Sequence, residues 1–79
     1  MFVTKVPIEN KKNVEIKCRE IREVDETFRF NFKEKSYGWL LIVSSRTKDQ
    51  AFQRGEWLIN KCDPIKAQDT YYWVHEVGK

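Results

Sequence analysis

The segment Phe28-Arg29-Phe30-Asn31-Phe32-Lys33 constrains this chain more than any other stretch. Phenylalanines at spacing two, separated by cations and an amide, share a face only in an extended backbone, because successive strand side chains point to opposite sides. The aromatic face belongs against a core. Glu34 to Gly38 then turns the chain, and Trp39-Leu40-Leu41-Ile42-Val43 follows without alternation. A short continuous apolar run is what a strand covered on both faces looks like. Together the two segments predict a hairpin over 27–33 and 38–44, its second strand central in a sheet.

Upstream, Phe2 to Ile8 has the β-branched and aromatic character of a strand, and Pro7 near its end suits a sheet edge. Asn10 to Asn13 reads as a polar turn. Val14, Ile16 and Cys18 then alternate with Glu15, Lys17 and Arg19, the period of a half-buried strand. The phase slips afterwards, and a bulge near Arg19–Glu20 would account for it. Asp25-Glu26 makes the next turn.

One helix is expected, over 48–62. Thr47 with Gln50 fits a capping box, the hydroxyl accepting an orphan N–H and the amide reaching back. Ala51, Gly55, Leu58, Ile59 and Cys62 fall on one stripe, with Phe52 at its border. A mid-helix glycine costs about 1 kcal/mol against alanine, so Gly55 on the packing face implies close contact with the sheet. Asp63-Pro64 ends the helix, Ile65 to Asp69 connects, and Thr70 to Val77 forms a last strand.

The expected fold is therefore α+β: a twisted antiparallel sheet in ββββαβ order with one amphipathic helix on one face. All 79 residues form a single domain, 1–79, with one thin core and two layers. That core gathers Val14, Ile16, Cys18, Phe28, Phe30, Phe32, Leu41, Val43, Ala51, Gly55, Leu58, Ile59 and Cys62. One helix covers one side of a sheet, yet the central strand is apolar on both. Curling of the sheet on itself is the expected cover, ahead of a second chain in a homodimer or the C-terminal strand.

Catalytic chemistry finds no footing in these residues. His75 has Glu76 as its nearest acid in sequence, and adjacent strand residues face opposite ways. There is no nucleophile elbow, no glycine-rich phosphate loop and no paired zinc-binding histidines. Cys18, Cys62 and the one histidine would leave a structural zinc short of a ligand. No enzyme activity, cofactor or metal is expected. The opening residues do not form a signal peptide, and the longest apolar run, Trp39 to Val43, is far too short to span a bilayer. The expected setting is the reducing cytoplasm, away from membranes, with both cysteines as buried thiols.

Binding is the remaining class, and two surfaces are candidates. Setting Ala51 at 0°, the helix stripe centres near 30° and Trp57 falls at about 240°, among Gln53, Arg54 and Lys61. A tryptophan flanked by cations on a polar face is the composition of an interface anchor. The ordinary alternative is an indole shielded by lysine and arginine stems. This surface, with aromatic residues at 14% of the chain, supports a small module that acts by protein contact. An inhibitor or regulator of a larger protein, of the kind viral and mobile-element accessory proteins supply, has this profile. The other surface holds Lys17, Arg19, Arg29, Asn31 and Lys33 on one sheet face, where cations beside aromatics would suit single-stranded nucleic acid. A net charge of only +3, with Glu15, Glu20 and Glu23 nearby, weighs against it.

Overall fold

The computed structural model describes residues 1–61, 65 and 70–78. In chain order the elements are β1 (Phe2–Ile8), α1 (Lys11–Val24), β2 (Arg29–Lys35), β3 (Gly38–Ser45), α2 (Lys48–Lys61) and β4 (Trp73–Glu76). The four strands form one open antiparallel sheet in the order β2-β3-β1-β4. The fold is α+β, and its connectivity is that of a split β-α-β, or ferredoxin-like, sheet. The expected hairpin is present as β2 and β3, with β3 central.

The element order departs from ββββαβ at a single place: residues 14–19 are helical. Asn10 caps α1 by accepting the Asn13 N–H on its side chain, so the expected turn is a helix start. Val14 and Cys18 are buried and Ile21 half-buried, at the i, i+4, i+7 spacing of a helix face. Ile16, expected in the core, is 51% exposed on the opposite side. Glu15 and Arg19 pair at i, i+4. Val14 and Cys18, four apart, are compatible with both periods, while Ile16 between them fits only the strand. Burying the stripe that continues to Ile21 decides between them.

Two helices rather than one thus cover the sheet, both on the same face. Their buried residues Val14, Cys18 and Leu58 share one cluster with Val6, Ile8, Phe28, Leu41 and Val43. The sheet is not closed, so curling does not supply cover for its other side. Phe30 and Phe32 are half-buried at the margin of the core, Ile59 is half-buried on α2, and Cys62 lies outside the described residues. Strand β1 is also central, flanked by β3 and β4, although Pro7 suggested an edge. Its ladder with β4 runs only from Phe2 to Lys5, and the Pro7 carbonyl, on that same side, accepts the Ile65 N–H at 2.8 Å. The missing proline N–H therefore falls where β4 asks for none.

Helix α2 begins as expected. The Gln50 N–H donates to Thr47 Oγ1 at 3.1 Å, while the Gln50 side chain reaches back one residue further than a standard box, to the Arg46 N–H. Thr4, fully buried under α2, donates its hydroxyl to the Ala51 carbonyl at 2.7 Å, so no hydrogen-bonding group is stranded there. Gly55 does sit at a close approach: a Cβ there would collide with the Tyr72 ring, whose hydroxyl donates to Glu56 at 2.9 Å. Burial, then the Glu56 carboxylate, push the Tyr72 phenol up to about 12. Gly55→Ala is expected to destabilise by about 1–3 kcal/mol, the usual range for overpacking, despite its better helix propensity. Chemical denaturation checks this, and Gly55→Ala with Tyr72→Ala should recover part of the loss.

Candidate nucleic-acid interface

The face of the sheet that carries no helix follows from register. Thr4, Val6 and Ile8 of β1 face the helices, which turns Val3, Lys5 and Pro7 the other way. Across the ladders the open face resolves into rows. Arg29, Ser44, Val3 and His75 form one; Asn31, Ile42, Lys5 and Trp73 form the next; Lys33, Leu40 and Pro7 form a third. Lys35 and Gly38 close it at the β2–β3 turn. Neighbouring strands lie about 4.8 Å apart, so a row reaches roughly 14 Å from β2 to β4.

The charge on this face is unmixed. Lys5, Arg29, Lys33 and Lys35 stand on it, with His75, and none of its strand positions holds a carboxylate. The whole chain has 12 acidic residues against 15 basic ones, so the near-neutral total conceals a segregated surface. Glu34 and Glu76, the acids within strands β2 and β4, lie on the opposite phase. Arg29, Asn31, Lys33 and His75 are exposed, Lys5 and Trp73 half-buried. Val3, Pro7 and Leu40 lie on the same face but are buried, so they are not part of its accessible surface. Trp73, directly across from Lys5, offers a ring beside a cation, and Asn31 in the same row adds an amide.

Of the five cationic-face candidates, Arg29, Asn31 and Lys33 occur together here, projecting from β2 as expected. Lys17 and Arg19 do not join them. They lie on α1, behind the other face, where Arg19 pairs with Glu15 and Lys17 donates to the Lys61 carbonyl at the end of α2. Lys5, Trp73 and His75 were missed because they come from β1 and β4, which join β2 and β3 only through the sheet order, and Lys35 because β2 runs two residues past its expected end at Lys33. For the first three, the one local signal was the phase of β1 and β4.

The second candidate surface divides in the same way. Trp57 is 41% exposed on α2, with Lys61 Nζ 5.9 Å from its ring centroid and Gln53 exposed. Arg54 points elsewhere: its side chain is 11% exposed and its guanidinium is engaged by Ser44, Ser45, Asp25 and Thr27. It is a structural cross-link rather than a flank of Trp57. Among the described residues no cluster of histidine, cysteine or carboxylate side chains could hold a metal ion, and no helix is long and apolar enough to cross a membrane.

The chain matches no protein-family model, no curated protein and no solved structure. Function has to be argued from the surfaces themselves.

Proposed function

We infer that this chain is a non-enzymatic binding module that holds single-stranded nucleic acid across the helix-free face of its sheet, in the cytoplasm. The observation that carries the reading is the acid-free face: four cations, a histidine and a tryptophan brought together from three strands. Cations at the rim suit phosphates, and the half-buried indole of Trp73 beside Lys5 suits a stacked base. Four-stranded sheets that stack bases on surface aromatics share this layout, an analogy of architecture alone. Among the described residues no strand position on this face holds a carboxylate beside His75.

The test is the retention of the protein on oligothymidylate at low salt, followed by tryptophan fluorescence. Three or four phosphate contacts should give a log–log salt slope of about −2 to −3, at about 0.7 per contact with single strands. Arg29→Ala with Lys33→Ala should flatten that slope by about 1.4 and weaken binding at least tenfold, with little change in melting temperature. No binding by the native chain at about 50 mM salt would sink the reading.

Protein contact through α2 is the second reading, favoured by the exposure of Trp57 with Lys61 over its ring. It describes an inhibitor or regulator whose anchor is Trp57, with Gln53 and Lys61 beside it and Arg54 excluded.

A further inference from the structure

Strand β2 lies at a margin of the sheet and, among the described residues, pairs only with β3. The two-residue turn Ser36-Tyr37 makes Lys35 and Gly38 a hydrogen-bonded pair, so the backbone groups of Lys33, Asn31 and Arg29 aim at β3. Those of Phe30, Phe32 and Glu34 point outward. Asn31 agrees with this phase: its Oδ1 accepts the Phe32 N–H at 2.9 Å, from outside the ladder. A groove runs beside the same edge, between β2 and α1, with Phe30 and Phe32 half-buried on its floor. Lys11, Arg19 and Arg22 line it alongside Glu15 and Glu23.

We propose that this edge receives an extended segment of a partner protein as a fifth strand, one that alternates apolar and acidic residues. The outward-facing backbone groups of β2 supply the pairing, as in other cases of strand addition. Side chains of the added strand then alternate between two unlike surroundings. One set enters the groove over Phe30 and Phe32, where apolar groups complete a half-covered floor. The other set emerges beside Arg29, Lys33 and Lys35, where cross-strand carboxylates are attracted and cations repelled. The same rule disfavours a second copy of this chain in the register centred on Phe32. A two-fold pairing of β2 with itself about Phe32 sets Arg29 opposite a second Lys35, twice. Asn31 acts as a guard on the edge, occupying one outward N–H until a strand displaces it.

This inference shares Arg29, Lys33 and Lys35 with the nucleic-acid reading but adds the outward backbone of β2, so protection of the outward β2 amides lets each fail alone. The probe is a blocked peptide of about seven residues, ordinary strand length, alternating valine and glutamate, titrated by amide-resolved NMR. The expected result is shifted and exchange-protected amides at Phe30 and Glu34. Replacing the glutamates with lysine should weaken binding at least tenfold. N-methylation of the peptide amides that face β2 should abolish it, while methylation on the far edge should not. Asn31→Ala should tighten binding several-fold by releasing the Phe32 N–H. Equal binding of the lysine peptide, tolerance of both methylation patterns, or shifts confined to Lys5, Trp73 and His75 overturns the proposal. Oligothymidylate followed on the same amides reports the face separately.

Discussion

Phe28→Ala should cost about 3–5 kcal/mol, enough to unfold much of the population of a domain this small. Phe28 is 2% exposed and closes the core where the loop after α1 enters β2. Its ring stands 5.9 Å from that of Phe30 and under the Arg54 guanidinium at 5.3 Å, so truncation removes an aromatic pair and a cation contact besides the buried area. Phe30 and Phe32 have the same residue type and the same face, but both are half-buried on the edge strand. Their alanine variants should lose distinctly less. Equilibrium denaturation of the three single variants measures the ranking, and an equal loss at Phe30 would mean that the groove beside β2 is closed.

That ranking separates what local pattern reveals from what packing adds. The alternation of Phe28, Phe30 and Phe32 identifies their shared face without identifying which of them the second helix covers. The hairpin and α2 were legible because each carries a signal with one interpretation: strict alternation in β2, and a capping pair followed by a small-residue stripe in α2. Helix α1 was not, because residues four apart satisfy both a period of two and a period of 3.6. The apolar residue between them, Ile16, favoured the strand and turned out to face solvent. Reading Asn10 as a cap and extending the stripe to Ile21 would have found the helix. For the candidate interface, β2 alone was visible. Which strand lies beside which is a property of the crossovers, and those depend on α1. With α1 missing from the reading, Lys17 and Arg19 were placed on the sheet, and Lys5, Trp73 and His75 had no reason to be joined to Arg29.

Arg54→Ala should destabilise by about 2–3 kcal/mol, on the scale of lost charged hydrogen bonds that leave a partner unsatisfied. Arg54 Nη1 donates to the Ser44 carbonyl at 2.8 Å and to Ser45 Oγ at 3.2 Å, while Nη2 donates to Asp25 at 3.1 Å and Thr27 at 3.2 Å. One planar group therefore ties α2 to the end of β3 and to the C-cap of α1, whose Asp25 N–H closes on the Ile21 carbonyl. Arg54→Lys keeps the charge but loses the fork, so it should recover only part of the stability. The junction also sets a sign for acid. The Thr27 hydroxyl and backbone N–H, followed by Arg54, hold the Asp25 carboxyl below its usual range. A depressed folded pKa contributes stability that is present above the unfolded value near 4 and is lost as pH falls through the folded one. Between neutral pH and about pH 3, the native chain and Arg54→Ala should therefore both lose stability, since the Thr27 contacts remain in each. The gap between their denaturation midpoints should narrow only by the smaller Arg54 part. A large neutral-pH loss identifies Arg54 as the clasp of this junction. A melting temperature unchanged by Arg54→Ala, with partner binding reduced, would instead return Arg54 to the exposed surface beside Trp57.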